Sequence, residues 1–463
     1  MKGAVYRRGE PGYEQARQDA VWNARKPERY PAVIVLAQDE DDVVEAVHHA
    51  REAGLKVSVR SGGHSWYGVH VRDGGLLLDL SLLRAITVDP VARTASVQSG
   101  VVGMEVYEAL AEHGLFFPVG HGPDVGLAGF LLGGGYGWNS TRLGPACFSI
   151  LAVDVVTAEG RRLHCDAARN GDFLWAARGG GHGQFAVITR FHLRVYDPLG
   201  AIMRTTQVYP LAAAESVCRW MMEIGPKLDR RVEFIGMITP PPVPGFTGAG
   251  VIVSATAFAD SATEAEQLLA PLADVPPDLA DRLLFHAANE ETDLRSLGEE
   301  VERETPKGLR YVCDNIWTRA TADEIAPHFQ RIAETMVNPQ SQVFWMWWGE
   351  DRVPPHAAWS SQAPWYLGVY GIGADPELDA AHDAWVARSI ASVAHLSAGT
   401  QFADADLAGR FDAPIQAEQL AEMDRLRALH DPAGVFHGYP HPTSDRFRPR
   451  SSTDTAAPRR GLR

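Results

Sequence analysis

Three glycine-rich runs in the first half of the chain have residue types and spacing that could bind an anionic ligand. The first is residues 60–65, with the sequence RSGGHS, directly after an apolar stretch. Adjacent glycines expose consecutive backbone N–H groups, and such a concave backbone binds anions such as phosphate. Arg60 and the two serines could add side-chain donors. A tight turn between two strands that binds nothing is the alternative interpretation.

The second run covers residues 120–139, with the sequence GHGPDVGLAGFLLGGGYGWN. The seven glycines between Gly122 and Gly137 argue against a packed helix, since each costs about 1 kcal/mol relative to alanine there. A surface linker would not interleave apolar residues such as Phe130 and Trp138. A run that is both apolar and rich in glycine is typical of a backbone pressed against a flat ligand. A folded loop without a ligand is the alternative.

The third run, residues 179–186, contains the G-x-G-x-x-A spacing of a dinucleotide-binding fingerprint. That fingerprint has to follow a strand and open a helix. Here residues 173–178 predict a helix and the residues from Val187 onward predict a strand, so a Rossmann site is excluded. The three runs together predict a pyrophosphate-containing cofactor on an α+β domain of another kind.

The elements that must position these runs open with a β-α-β unit. Residues 31–36 predict a buried strand, and the acidic residues 39–42 mark a helix start, where the helix dipole favours negative charge. Apolar residues then recur at helical spacing until Gly54, and residues 55–59 predict the next strand. Such a unit builds a sheet rather than a helical bundle. Further strands are predicted at 76–80, 94–98 and 187–196, a helix at 103–113, and a hairpin at 151–164.

Residues 201–420 differ in composition from the first 200. They hold eight of the twelve tryptophans. Long strands are predicted at 251–258, 342–348 and 365–370, with helical stretches between them. This pattern predicts an antiparallel sheet with helices on one face, after a domain boundary near Gly200.

The composition excludes several classes of protein. The net charge of −15 argues against a general nucleic-acid binder, which would carry a basic stripe. No stretch approaches the roughly 20 apolar residues that span a bilayer, and residues 1–8 lack the apolar core of a signal peptide. The four cysteines show neither a C-x-x-C pair nor zinc spacing, so no metal is predicted. We therefore expect a cytoplasmic protein without membrane or nucleic-acid partners, whose residues 443–463 form a disordered tail.

Five motifs in order over residues 27–196 resemble the flavin-binding half of the vanillyl-alcohol oxidase/para-cresol methylhydroxylase (PCMH) family, and its berberine-bridge-enzyme-like branch in particular. They are RYPAVIVLAQDEDDVVEAV, VRSGGHSWYG, DGGLLLDLS, VGLAGFLLGGGYGW and FLWAARGGGHGQFAVIT. The resemblance implies a two-domain α+β flavoprotein. Residues 1–200 would form a PCMH-type FAD-binding domain and residues 201–420 a substrate domain with an antiparallel sheet covered by helices. Residues 421–442 would return to the first domain.

The resemblance also implies how FAD is held. Residues 60–65 would cradle the pyrophosphate, residues 126–137 would line the flavin and ribityl chain, and residues near Gly183 would hold the adenine. The implied cofactor-binding residues are Arg60, Ser61, Gly62, Gly63, His64, Ser65, Gly68, Asp124, Val125, Gly126, Gly129, Gly133, Gly134, Gly137, Trp138, Gly183, Val187 and Tyr439.

His64 falls where the family attaches the flavin 8α-methyl group to a histidine nitrogen. A neutral imidazole is a competent nucleophile; an unlinked turn histidine is the alternative. Many family members add a second bond through a cysteine, but Gly122 holds that position here, so we expect attachment through His64 only. Val125 stands where a small side chain gives oxygen access to the flavin, which favours an oxidase.

The usual catalytic base of the family does not transfer to this chain. The Tyr-x-Asn pattern expected near residues 399–404 is missing, and the segment after Phe436 departs from the family. A tyrosine has a reference pKa near 10 and needs a nearby cation or hydrogen bonds to act as a base. The predicted catalytic residues are Tyr439, Glu350 and Tyr311, with Tyr366 and Asp404 as further candidates.

Alternation on residues 342–348 puts Phe344, Met346 and Trp348 on one face of a strand. Such a face is commonly core, but in this family the corresponding strand floors the substrate cavity. We therefore expect these three residues and Tyr366 to bind substrate, which suits an aromatic or polycyclic small molecule of secondary metabolism.

The predicted function is an FAD-dependent oxidase. It would transfer hydride from an alcohol or similar C–H/X–H group to covalently bound flavin, which O2 reoxidises to give H2O2. Two alternatives stay open: a flavin-dependent cyclase or rearrangement enzyme without net oxidation, and a non-catalytic flavin-containing binding protein.

Overall fold

The computed structural model describes residues 1–241, 245–246, 248–349, 352–360, 363–407 and 414–439, so the predicted tail at 443–463 lies outside the described residues. The strands are β1 Ala4–Arg7, β2 Val33–Leu36, β3 Val57–Arg60, β4 Leu76–Asp79, β5 Ile86–Asp89, β6 Thr94–Gln98, β7 Ile150–Thr157, β8 Arg162–Cys165, β9 Ala186–Arg194, β10 Ala201–Pro210, β11 Val232–Thr239, β12 Gly250–Ala259, β13 Phe285–Thr292, β14 Arg310–Thr318, β15 Gln342–Trp347, β16 Trp365–Gly373 and β17 Ser397–Gly399. The helices are α1 Tyr13–Asp19, α2 Glu40–Glu52, α3 Gly103–Ala111, α4 Leu127–Leu132, α5 Ser140–Leu143, α6 Gly171–Ala177, α7 Ala214–Ile224, α8 Ala262–Leu269, α9 Pro277–Ala280, α10 Leu294–Glu304, α11 Ala322–Glu334, α12 Asp379–Val393 and α13 Ala417–His430. Among the described helices, none has the length and apolar character that crossing a bilayer requires.

The first sheet has the strand order β1-β2-β4-β3, and its strands β2, β4 and β3 run parallel. α2 connects β2 to β3 and begins where the Asp39 carboxylate accepts hydrogen bonds from the backbone N–H groups of Asp41 and Asp42, at 3.0 and 3.1 Å. The predicted β-α-β opening is therefore confirmed. Because β3 ends at Arg60, the first glycine-rich run follows the carboxyl end of a parallel strand, where ligands commonly bind.

The second sheet is antiparallel, with the order β5-β6-β9-β7-β8. The predicted hairpin consists of β7 and β8, and Gly160 in its turn has a φ of +76°, a conformation that favours glycine. α6 precedes the third glycine-rich run and β9 follows it. This order, a helix before the run and a strand after it, is the predicted one, and it is the reverse of what a Rossmann site requires.

The third sheet is an eight-stranded antiparallel sheet with the order β13-β10-β12-β11-β15-β16-β14-β17. Helices α7, α8, α11 and α12 cover one face, where side chains such as Trp345 and Leu367 are fully buried. The other face is turned toward the glycine-rich runs. The predicted antiparallel sheet with helices on one face is confirmed, and its open face is the one that can build a site.

The chain returns to the first sheet after α13. The Val57 N–H donates to Val435 O at 2.7 Å, and the His437 N–H donates to Val57 O at 3.0 Å. The Asp431 carboxylate holds this segment by accepting from the backbone N–H groups of Val435 and Phe436, at 2.7 and 2.9 Å. The return places His437 and Gly438 at the wall of the cavity described next.

Candidate active site

A cavity of about 1270 Å³ lies between the open face of the third sheet and the glycine-rich runs. Ordinary small-molecule sites measure about 300–1,000 Å³, so this cavity has room for a large cofactor together with a substrate. All three glycine-rich runs contribute to its wall, through residues such as Gly63, Gly129 and Gly181. The runs that are far apart in the sequence therefore meet at one site.

The first two runs touch each other directly at Gly62 and Gly126. A Cβ on Gly62 would lie 2.5 Å from the Cα of Gly126, and a Cβ on Gly126 would lie 2.5 Å from the backbone N of Gly62. The Arg60 guanidinium is 3.0 Å from the Asp79 carboxylate, and the Ser61 hydroxyl donates to Ser99 O at 2.6 Å. Arg60 and Ser61 thus fasten the turn, while the two glycines allow the backbones to approach.

The second run contains a short helix, α4, which its glycine content argued against. The helix forms because only Gly129 lies inside it, whereas Gly126 and Gly133 stand at its two ends. A Cβ on Gly129 would meet no heavy atom within 4 Å, although the residue lines the cavity. The absence of a side chain at Gly129 therefore leaves space in the cavity, and close packing within the protein does not require glycine there.

Buried polar atoms without a partner line the same wall. They include Nε of Arg72, Nδ1 of His182 and Nε2 of His437. Burial lowers the pKa of the Arg72 guanidinium to about 10, so it stays charged at neutral pH. Burial likewise lowers the pKa of His182 and of His437 to about 4, so both imidazoles are neutral. Unpartnered buried groups cost free energy unless a ligand satisfies them, and a cationic one fits an anionic ligand.

His64 is held by an aspartate and a tryptophan. Its Nε2 lies 2.8 Å from Oδ1 of Asp124, and the Trp22 indole N–H donates to Oδ2 of the same carboxylate at 2.6 Å. The indole also stacks on the imidazole, with the ring centroids 4.5 Å apart. Burial raises the pKa of the Asp124 carboxyl, but the hydrogen bonds from His64 and Trp22 outweigh it and hold that pKa below its usual value.

The open face of the third sheet presents an aromatic floor to the cavity. Phe344, Met346 and Trp348 all line it, whereas the alternate residues Val343 and Trp345 pack under the helices. Alternation along β15 thus separates the two sets, as period-two side-chain geometry requires.

A carboxylate stands among the aromatic side chains of this floor. The Tyr366 hydroxyl donates to Oδ2 of Asp404 at 2.9 Å, and the Trp66 indole N–H donates to Oδ1 at 2.7 Å. The Tyr370 hydroxyl lies 3.1 Å from the Tyr366 hydroxyl. All four side chains line the cavity, which therefore offers a proton acceptor surrounded by apolar surface.

Comparisons with known proteins identify the family. A family model described as an FAD binding domain matches residues 31–166. An FAD-linked oxidoreductase of Hypoxylon pulicicidum, nodO, is 33% identical over 400 residues, which cover 85% of this chain and 87% of that protein. The chain belongs to the FAD-linked oxidoreductases. The predicted family, FAD as the cofactor and the oxidoreductase class are thereby confirmed.

Solved structures show that this oxidoreductase has the predicted two-domain flavoprotein fold. The crystal structure of 6-hydroxy-D-nicotine oxidase from Arthrobacter nicotinovorans superposes with a TM-score of 0.83 at 19% identity, over 97% of this chain and 98% of that one. The berberine-bridge-enzyme-like protein 1 of Physcomitrella patens gives a TM-score of 0.82 at 19% identity and the same coverage.

The cavity wall of the oxidoreductase fits FAD. The space beside Gly129 would take a flat ring, and the charged Arg72 with the two neutral histidines would meet phosphate oxygens and other polar groups. The sequence did not predict Arg72 as a cofactor-binding residue, although it lies only seven residues beyond the first run. The pattern that could have indicated it is a basic residue close to a pair of glycines, at 74–75.

The structure divides the predicted cofactor-binding residues into two groups. Those that line the cavity are Arg60, Ser61, Gly62, Gly63, His64, Ser65, Val125, Gly126, Gly129, Gly133 and Trp138. Those placed behind the wall are Gly68, Asp124, Gly134, Gly137, Gly183, Val187 and Tyr439. For Gly137 the reason is packing within the protein, because a Cβ there would lie 2.0 Å from Val119 O.

The structure does not bring Tyr439 or Tyr311 to the cavity wall. The Tyr439 hydroxyl donates to Gly180 O at 2.7 Å, and the Tyr311 hydroxyl donates to Pro306 O at 2.6 Å. Burial raises the pKa of both phenols, which opposes a role as a base. Glu350 lies outside the described residues. Of the named bases, Tyr366 and Asp404 are the two that face the cavity.

The structure also joins Asp154, His164 and His192 on neighbouring strands of the second sheet, outside the cavity. His164 Nδ1 lies 2.6 Å from one Asp154 oxygen and His192 Nε2 lies 3.0 Å from the other. Such a group has metal-ligating side chains that the sequence spacing did not predict. However, the Arg190 Nε lies 3.8 Å from the same carboxylate, and its charge opposes cation binding.

Proposed function

We propose that this oxidoreductase is an oxidase of an aromatic or polycyclic small molecule. It removes a hydride and a proton from an alcohol or similar C–H/X–H group, and O2 receives the electrons to give H2O2. The observation that carries the proposal is the single cavity in which an aromatic floor with a carboxylate faces the flavin-binding wall. When bound, FAD supplies the two-electron acceptor for the hydride and the reaction with oxygen.

The experiment that tests this function is an anaerobic screen. The purified holoenzyme is mixed with a panel of aromatic and polycyclic alcohols and amines, and bleaching of the flavin absorbance identifies substrates. Admission of oxygen to each active mixture should restore the absorbance and form one H2O2 for each oxidised product. Turnover without oxygen consumption would instead support a redox-neutral cyclase or rearrangement enzyme, and no bleaching by any compound would favour a binding protein.

Asp404 is the group that can accept the proton during this reaction. Burial raises the pKa of Tyr366 and of Tyr370 well above the usual value, and the Asp404 charge adds to that effect, so both phenols stay protonated. Because Tyr366 donates to Asp404, Tyr370 can donate to Tyr366 and leave its own oxygen free to accept from the substrate. A proton then moves along these hydroxyls to the carboxylate.

We expect Asp404→Asn to slow flavin reduction by about 10²–10⁴-fold, since general-base catalysis contributes about that much. Anaerobic stopped-flow absorbance with a substrate from the screen measures the rate. Tyr209→Phe serves as the control, because the Tyr209 hydroxyl is buried among the helices on the opposite side of the same sheet, where it donates to Gln207. Equal rates for Asp404→Asn and wild type would exclude this proton acceptor.

Val125 lines the cavity, and we infer from the family resemblance that oxygen approaches the flavin beside it. We expect Val125→Ile to lower the rate of flavin reoxidation by O2 at least about tenfold, because the added methylene narrows the approach. Reoxidation by an artificial dye acceptor should change less than about twofold. Loss of both reactions in parallel would mean that the substitution disturbs the flavin rather than access to it.

The attachment of FAD is proposed to be a single bond to His64. Cys147, Cys165, Cys218 and Cys313 are all buried and none lines the cavity of the described residues. Burial also raises the pKa of the Cys147 thiol, which disfavours the nucleophilic thiolate. Proteolysis of the denatured holoenzyme should therefore release one flavin-bearing peptide, the one that contains His64.

A further inference from the structure

One part of the cavity wall is acidic. Strand β13 and helix α10 carry four glutamates that line it, and β10 and α10 add two arginines: Glu290, Glu291, Glu300, Glu304, Arg204 and Arg303. Arg204 is the cross-strand neighbour of Glu290 and forms an ion pair with Glu300, so these groups are contiguous. The pyrophosphate of FAD is an anion, which like charges repel. The acidic part of the wall is therefore left for another ligand.

Gln342, the first residue of β15, adds an unpartnered acceptor to this part of the wall. Its side chain is only 1% exposed and lies on the same face of the strand as Phe344. Nε2 donates to the backbone O of Glu304 at 3.0 Å, and this bond fixes the amide orientation because a carbonyl oxygen only accepts. Oε1 then has no hydrogen-bond partner among the described residues. Such a buried acceptor costs free energy unless a ligand donates to it.

Glu304 supplies a carboxylate to the same part of the wall. Its side chain is exposed and lines the cavity. The protein around it nevertheless disfavours the charged form, and burial raises the pKa of the carboxyl to about 7. Arg204 and Arg303 lower that pKa and Glu300 raises it, each by less than burial does. The charges of the protein therefore compensate this carboxylate only in part, and a bound cation would stabilise it.

The unpartnered acceptor is close to the hydroxyl groups that lead to Asp404. Gln342 is the cross-strand neighbour of Tyr370, and both side chains line the cavity. Side chains directly opposite each other in an antiparallel pair have Cβ atoms about 4.5–5.5 Å apart. One small molecule can therefore donate to Oε1 of Gln342 and also reach the Tyr370 hydroxyl.

We propose that Glu304 and Gln342 bind a cationic amine of the substrate, so that the preferred substrates are aromatic molecules that carry an alkylammonium group. The ammonium donates to the Glu304 carboxylate and to Oε1 of Gln342, while the aromatic part packs on Phe344. An ammonium has three donors and no acceptor, which matches a site made of acceptors. A hydroxyl group would satisfy Gln342 but would leave the carboxylate charge uncompensated. This inference deepens the proposed function and rests on it.

The test compares the affinity of the holoenzyme for two pairs of probes, tryptamine with tryptophol and 2-phenylethylamine with 2-phenylethanol. Within each pair, the protonated amine is exchanged for a hydroxyl group and the rest of the molecule is unchanged. Equilibrium dialysis without oxygen measures each Kd. At about pH 8 we expect each amine to bind at least about tenfold more tightly than its alcohol, because hydrogen bonds that involve charged groups are the stronger ones.

Glu304→Gln should reduce this preference to less than about twofold, because it removes the charge and keeps the shape of the side chain. The Kd of each alcohol should stay within about twofold of the wild-type value. Glu302→Gln is the matched control. Glu302 is an exposed residue of the same helix and is not among the described residues that line the cavity, so this variant should keep the full preference.

The pH profile is an independent readout. The Glu304 carboxyl has to be ionised to hold the ammonium, whereas an alkylammonium keeps its proton up to about pH 10. With a carboxyl pKa of about 7, the wild-type affinity for tryptamine should rise about tenfold from about pH 6 to about pH 8. In Glu304→Gln it should stay constant over the same range. Should that variant not purify as a holoenzyme, the wild-type preference and pH profile decide.

Equal affinity within both pairs, including no binding by any of the four probes, would overturn the inference. So would a preference for the amines that survives in Glu304→Gln. Either result would leave the proposed function in place if alcohols of the anaerobic screen bleach the flavin. Amines that bind through Glu304 while no compound of that screen bleaches the flavin would instead contradict the proposed function and leave the binding site in place.

Discussion

His64→Ala is expected to abolish covalent flavin completely. Wild-type protein precipitated with acid should keep its flavin in the pellet, whereas the variant should release all of it to the supernatant. The expectation follows from the proposed bond to His64, whose imidazole lines the cavity and has one ring nitrogen, Nε2, engaged with Asp124. The measurement is the flavin absorbance of pellet and supernatant, together with in-gel fluorescence.

The control for this prediction is His121→Ala. His121 also lines the cavity and also has a carboxylate partner, Glu233, at 2.9 Å, but it lies in the second glycine-rich run. Its replacement should leave flavin in the pellet. Flavin that stays with the His64→Ala chain would show a second attachment site and contradict the single bond.

Gly129→Leu is expected to weaken FAD binding by roughly 5- to 150-fold. The leucine would extend from α4 into the cavity, where a Cβ on Gly129 meets no heavy atom. Inserting a side chain into space that bound FAD would fill costs about 1–3 kcal/mol, and each 1.4 kcal/mol is a tenfold change in affinity. The measurement is the Kd for FAD by fluorescence titration in the His64→Ala background, where no covalent bond masks the loss.

Gly129→Ala is the matched control. It adds only the Cβ, which would meet no heavy atom within 4 Å. It should raise the free energy of unfolding by up to about 1 kcal/mol, because alanine is the better helix former. FAD affinity should fall less than in Gly129→Leu. Unchanged affinity in the leucine variant would mean that the cofactor does not approach α4.

The cavity wall and the two faces of β15 could be predicted from the sequence, because glycine density and strand alternation are local patterns. Glycine density marked the cavity wall, and the period of β15 put Phe344 and Met346 on one side and Trp345 on the other. By contrast, β13 was not predicted. Its sequence FHAANEET has no apolar alternation, and backbone pairing with β10 at the sheet edge forms the strand.

The individual roles within the site could not be read in the same way. Arg60 was predicted to bind phosphate; it lines the cavity, and its guanidinium also pairs with Asp79. Arg72, which was not predicted, has an unpartnered Nε at the same wall. Gly62 and Gly126 both line the cavity, and each is also required by the close approach of the other. A glycine signal reports that something comes close to the backbone, without reporting whether it is a ligand or the protein itself.

The sequence by itself determined the family, the cofactor and the two-domain α+β organisation of this oxidoreductase, because ordered motifs and periodicity are properties of neighbouring residues. Only the tertiary structure decided which side chains act together. His64 meets Asp124 from 60 residues away, and Trp66 meets Asp404 from 338 residues away. Such contacts follow from the packing of whole sheets against each other, and a hydrogen bond between distant residues leaves no pattern in the spacing of either one.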